Sequence, residues 1–164
     1  MKILTIYNSK TGFTKKYIDF LKEDIDMDVV SIDKIKSVNI NDYDKVIFAS
    51  WIFGGKIKKL EFLEKLNTAK EDIIVLAVGA SLHNNEVLSD ISKLGYHGFY
   101  LQGGLAYDKM GFLDKKMIGM FAKALKTKDD LSDDEKILAD LIQDSFDMCS
   151  KDNLNDVVDY LKKL

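Results

Sequence analysis

The stretch Lys2-Ile3-Leu4-Thr5-Ile6-Tyr7-Asn8-Ser9-Lys10-Thr11-Gly12-Phe13-Thr14 sets the architecture of the chain. Its first half is a short, mostly apolar run that reads as a strand over Lys2–Tyr7. Its second half is small, polar and rich in hydroxyls, and it opens onto a segment where Tyr17, Ile18 and Leu21 share one helical face. Outward from this unit the same alternation recurs. Further strands are expected at Asp28–Ile32, Lys45–Ser50, Asp72–Gly79 and Gly98–Gln102. The runs VIFAS (46–50) and IIVLAV (73–78) are apolar throughout, as expected of parallel strands covered on both faces. Helical patterns fall between them, in Leu60, Leu63 and Leu66 and again in Val87, Leu88, Ile91 and Leu94.

Near the end of the chain, Leu154, Val157, Val158 and Leu161 fall at helical spacing. Asp156 precedes them in the first turn, and Lys162 and Lys163 close the last, complementing the helix dipole. Upstream, Ser132-Asp133-Asp134-Glu135 reads as a capping box. It opens a helix whose expected buried face is Leu138, Leu141, Ile142 and Cys149. Strands alternating with helices imply an α/β fold, a doubly wound five-stranded parallel sheet of order 2-1-3-4-5 with helices on both faces. Residues 1–164 are expected to form one domain, with a helical insertion after strand five at approximately 104–132.

Composition narrows the function. The 24 basic residues are all Lys, there is no Arg or Pro, and net charge is −3. That balance lacks the basic footprint of a nucleic-acid binder. Without Arg, an anion must be held by backbone amides, hydroxyls or Lys. One cysteine, Cys149, excludes an internal disulfide and reads as a small core residue. No apolar run approaches the roughly 20 residues of a membrane span, and the MKILTIYNSK start turns polar too early for a signal peptide, so a cytoplasmic location is expected.

In doubly wound sheets, ligands bind beyond the carboxyl ends of the strands. The loop Ser9-Lys10-Thr11-Gly12-Phe13-Thr14 delivers amides and three hydroxyls to a helix start, which makes it an anion site. There is no G-x-G-x-x-G for a dinucleotide and no G-x-x-x-x-G-K-[ST] for a nucleoside triphosphate. Strand three ends in Ser50-Trp51, where a phospho-acceptor receiver would carry Asp.

Tyr7-x-Ser9-x-x-Gly12-x-Thr14 resembles the flavodoxin signature: aromatic, any, Ser/Thr, two of any, small, any, Thr. Ile18 stands where a small residue is usual, and Thr5 where an aliphatic one is; Leu21 fits. The resemblance implies a flavodoxin-like fold and flavin mononucleotide (FMN) as cofactor, its phosphate in the first loop. It further implies that Ser50, Trp51, Ile52, Phe53, Gly54 and Gly55 border the flavin ring. In that family a peptide of this loop turns over on reduction, which would fall at Phe53–Gly54 or Gly54–Gly55. Adjacent glycines remove the steric penalty for positive φ. Ala80 and Ser81 would face the ribityl chain or ring edge, with His83 as a candidate proton carrier.

After strand five, Gly103-Gly104-Leu105-Ala106-Tyr107 followed by a Met-rich amphipathic segment is similar to the flavodoxin-like subfamily that includes menaquinone-dependent protoporphyrinogen oxidase. This resemblance places Gly103, Gly104 and Leu105 along the pyrimidine edge and Tyr107 beside the ring. Leu113, Met117, Met120, Phe121, Ala124 and Leu125 form the expected apolar face of the inserted helix. The reading is an FMN-dependent redox protein, either an electron carrier or an oxidoreductase. Its partner is a redox protein or a small quinone- or porphyrin-like substrate approaching through 103–126, with peripheral membrane contact as a further possibility. Lys56, Lys58, Lys59 and Lys109 are the available charges for substrate carboxylates. A protoporphyrinogen oxidase and a flavin-free interaction module of the same fold are the alternatives.

Overall fold

The computed structural model describes residues 1–164. Strand β1 (Ile3–Asn8) leads through the polar loop into helix α1 (Phe13–Asp24), and β2 (Asp28–Ser31) follows. Next come β3 (Lys45–Phe53), β4 (Lys56–Ile57), β5 (Ile73–Gly79), α2 (Asn85–Lys93) and β6 (His97–Gln102). The five long strands pair in parallel in the order β2-β1-β3-β5-β6, which is the expected doubly wound sheet.

The uninterrupted apolar strands follow from this placement. Ile47, Ala49, Ile74, Leu76 and Val78 point to one face, where they meet Tyr17, Ile18 and Leu21 of α1. Leu4, Ile6, Val46, Phe48, Val75 and Ala77 point to the other, against Val87 and Ile91 of α2. Alternate side chains enter different cores, so both must be apolar. Leu154, Val157 and Leu161 close the first core from helix α5 (Asn155–Leu161) and the turn before it.

Three expectations change. Leu60 and Leu63 lie in a 3-10 segment, Leu60–Lys65, instead of an α-helix, and Leu66 caps its end. A repeat of three residues per turn aligns side chains spaced by three, which suits that spacing better than 3.6. Strand three continues past Ser50 to Phe53 and turns back into β4, pairing Phe53 with Lys56 and Ile52 with Ile57. The two-residue turn is Gly54-Gly55, both at positive φ (60° and 74°), as a type I′ hairpin requires. Cys149 is not helical: the capped helix α4 (Asp133–Leu141) stops before it, and Cys149 lies in the link to α5.

The excursion after β6 contains β7 (Gly104–Leu105), helix α3 (Phe112–Lys126), α4 and β8 (Phe146–Asp147). Strands β7 and β8 pair antiparallel, so the excursion closes at residue 147 and not near 132. It holds its own small core of Leu105, Leu125, Ala139 and Ile142, with Ile118, Ala122 and Phe146 packed against it. The packed side of α3 is therefore Ile118, Ala122 and Leu125. Of the expected apolar face only Leu125 is buried.

Candidate functional site

The loop between β1 and α1 leaves a cluster of hydrogen-bond donors without partners. Gly12 caps α1 in the left-handed region (φ 105°), where a side chain is disfavoured, and a Cβ there would meet nothing within 4 Å. The amides of Lys10, Thr11 and Gly12 donate to no group in the chain. Those of Phe13 and Thr14, in the first turn of α1, have no intrahelical acceptor. Thr14 is 1% exposed, and its hydroxyl is the one buried side-chain polar atom without a hydrogen-bond partner. Leaving a buried donor unmatched costs about 1–3 kcal/mol. An orphaned hydroxyl among free amides at a helix start matches a phosphoryl group. Ser9 contributes a weak bond, its Oγ accepting from the Lys15 amide at 3.4 Å.

Beyond this loop a crevice of about 100 Å³ opens at the carboxyl ends of β1, β3, β5 and β6. Of the residues expected at a flavin site it gathers Ser9, Lys10, Thr11, Phe13, Thr14, Trp51, Ile52, Phe53, Ala80, Gly104 and Leu105. Trp51 and Phe53 lie on one side of β3 with ring centroids 5.8 Å apart, and the Lys10 ammonium stands 5.3 Å from the Trp51 ring. Val78, Gly79, Ala106, Met110, Asp114 and Ile118 also line it, unforeseen from sequence. The last three form a roof reaching over from α3 and the turn before it. An ion pair from Lys10 to Asp114 ties that roof to the anion loop.

Other expected residues stand outside the crevice lining. The Ser50 hydroxyl is fully buried, accepting from Asn8 Nδ2 at 3.0 Å and donating to the Lys58 carbonyl at 2.6 Å. It fastens the β3–β4 hairpin to β1 and has no free donor. Ser81 Oγ is within 2.9 Å of the Tyr100 hydroxyl, which donates to the Ser81 carbonyl at 2.6 Å. Burial pushes Tyr100 up to about 12, against the pull of its Ser81 bonds, so this clasp is made by a neutral phenol. Gly103 donates its amide to Gly79 O and accepts from the Met148 amide, which leaves no donor for a ring edge. Gly54 and Gly55 sit at the exposed hairpin tip, and His83 is exposed on the loop before α2. Tyr107 packs with the excursion core.

Gly104 earns its place sterically. A Cβ there would fall 2.9 Å from the Phe13 ring, so the anion loop and the excursion touch directly. Beneath them Tyr17 donates its hydroxyl to the Gln102 carbonyl and accepts from Asn153 Nδ2 at 2.6 Å. Burial pushes Tyr17 up to about 12, so it stays a neutral phenol too. Outside Trp51 lies a second, open groove of about 600 Å³, lined in part by Lys10, Lys56, Lys58 and Lys59. Lys109 stands apart from it, on the turn Tyr107–Lys109.

Fold and site together define a parallel α/β protein whose strand-end crevice sets a loop of unpaired donors beside an aromatic wall. The chain belongs to the flavodoxin domain family, whose model matches residues 4–132. It is 29% identical over 147 residues to an uncharacterized protein of Methanocaldococcus jannaschii, covering 76% of this chain and 98% of that one. Among solved structures it is similar to oxidised flavodoxin 2 from Bacillus cereus, at 20% identity and TM-score 0.46, over 76% of this chain and 97% of that one. It is also similar to a flavoprotein crystallised with FMN from Lactobacillus acidophilus, at 15% identity and TM-score 0.48, over 62% and 91%.

Proposed function

We propose that the chain binds FMN in this crevice and works as a flavodoxin-like redox protein. The observation that carries the reading is the orphaned, buried Thr14 hydroxyl surrounded by unengaged amides. Thr14, Thr11 and the Lys10–Thr14 amides hold the phosphate; Trp51, Ile52 and Phe53 form one wall of the ring site, and Ala80, Gly104 and Leu105 the opposite margin. When bound, FMN supplies one- and two-electron transfer at its ring. The chain's part is to hold that ring against an apolar surface and to keep water from it with the roof of Met110 and Ile118. Ligand pockets usually measure about 300–1,000 Å³. The crevice of about 100 Å³ is smaller than that, and the Lys10–Asp114 pair spans it between the first loop and α3. Titrating the purified protein with FMN tests the reading: stoichiometric quenching of flavin fluorescence supports it, and none overturns it.

The lysine groove favours a second reading, an FMN enzyme acting on a small carboxylate-bearing substrate such as a porphyrin. Lys56, Lys58 and Lys59 make no ion pair, although the chain as a whole is acidic. Lys59 holds the left-handed conformation (φ 64°), the only non-glycine residue that does, and such strain concentrates at functional positions. Turnover of protoporphyrinogen with a quinone acceptor distinguishes this enzyme from a carrier.

A further inference from the structure

Helix α3 leaves a large apolar face uncovered. Phe112, Leu113, Met117, Met120 and Phe121 are between 46% and 81% exposed, although all lie on one helix. By the 3.6-residue repeat Leu113, Met117, Met120, Phe121 and Ala124 share one stripe, opposite the packed residues Ile118 and Ala122. Single exposed apolar residues need no explanation, but a contiguous patch of this kind marks an interaction surface. The same helix carries Lys115, Lys116, Lys123 and Lys126 against one carboxylate, Asp114, which is already paired with Lys10. The lysines of α3 thus gather along one flank of its exposed apolar stripe.

We propose that α3 is an interfacial helix that docks the protein on an anionic lipid surface. Fifteen residues span about 22 Å, enough to lie in the headgroup plane with Leu, Met and Phe side chains in the acyl boundary. Lys116 and Lys123 border the stripe by the helical repeat, and each positions an ammonium to reach lipid phosphates along its flexible stem. The charge pattern selects this occupant over a second copy of the chain. Two such faces paired antiparallel about a two-fold axis would set the lysine flank of one helix beside that of the other. No helix of the chain is long and apolar enough to cross a membrane, so the contact is peripheral. Ile118, which lines the crevice, lies on the side of α3 away from the stripe, so docking does not engage the crevice itself. The proposal stands whichever group fills that crevice.

The test is co-sedimentation of the full chain with phosphatidylcholine vesicles and with vesicles containing phosphatidylglycerol. Binding is expected to the anionic vesicles, weakening steeply with salt. Lys116→Ala and Lys123→Ala should each reduce it about five-fold, the factor corresponding to ~1 kcal/mol per basic residue near an anionic surface. Met117→Glu with Phe121→Glu should abolish it with the thermal midpoint unchanged, since both side chains are exposed. Failure to bind anionic vesicles, or retention by the double Glu variant, overturns the proposal. So does a wild-type dimer on size exclusion that these substitutions dissociate, which would make the stripe a self-interface.

Discussion

Replacing Thr14 with Val separates cofactor binding from folding. The side chains are nearly equal in size, and the hydroxyl has no partner within the chain. Thr14→Val should therefore leave the cofactor-free protein as stable as before or more so, while FMN affinity falls. A hydrogen bond to a charged group contributes about 1.5–3 kcal/mol, so the loss should be roughly ten- to a hundredfold. Thermal melts and FMN titration on the same preparation check both halves, and an unchanged affinity would remove Thr14 from the site. Cys149 shows the opposite situation, a reactive group held quiet. Burial pushes its thiol up to about 12, and the neighbouring Asp147 carboxylate adds to the shift. Asp147 itself would rise on burial, but its bonds from Lys16 and the Cys149 amide hold it below the usual carboxylate range. Because the folded thiol titrates above its ordinary value of about 8.5, its contribution to stability is complete below that value and is lost as pH rises toward 12. Native Cys149 should alkylate far more slowly than the denatured chain near pH 8.5, and Asp147→Asn should speed it.

At the scale of elements, the sequence was legible wherever a segment meets one clear partner. The strands with apolar residues on both faces, the Ser132 capping box and the Leu154–Leu161 helix face all fall as the spacing implies. Helix α3 was misread because apolar residues occupy most of its circumference. Hydropathy alone does not say which of two apolar faces meets α4, and the side with the smaller Ala122 and Ile118 allows the closer approach. For the same reason the crevice roof of Met110, Asp114 and Ile118 carried no sequence signal, since its position depends on how the excursion folds back. That roof gives an element-level prediction. Asp114→Asn should weaken the Lys10 latch, free Lys10 to approach the phosphate, and remove a negative charge from the crevice. FMN should then bind faster and somewhat more tightly, as stopped-flow quenching would show; slower uptake would mean the pair is not a latch. The β3–β4 hairpin gives a second. Gly55→Val places a β-branched residue at φ 74° and should destabilise the protein by at least about 1–2 kcal/mol, whereas Gly55→Asn should be tolerated better, as denaturant titrations would resolve.

For the whole molecule, three separate apolar clusters make the sheet and the excursion unequal partners. Two clusters lie against the faces of the parallel sheet, and the third belongs to residues of the excursion alone. The chain leaves the sheet at Gly103 and returns through the β7–β8 ladder, so the ends of the excursion are hydrogen-bonded neighbours. The family match ends at residue 132, yet Leu154, Val157 and Leu161 beyond it are almost completely buried in a sheet core. These facts make opposite forecasts for two deletions of similar size. Ending the chain after residue 132 would expose the sheet face that α5 covers, and no cooperative fold should remain. Replacing Tyr107–Asp144 with a short Asn-Gly turn leaves the ladder and both sheet cores in place. That variant should unfold in one cooperative transition, since the lost cluster supports little outside itself. Its FMN site would keep the Thr14 cradle and the Trp51 wall but lose the Met110–Ile118 roof. Cofactor should therefore exchange faster and bind more weakly without being abolished. Calorimetry and flavin release rates on the two deletions decide the matter, and a collapsed fold in the second would show that the excursion is part of the domain's foundation.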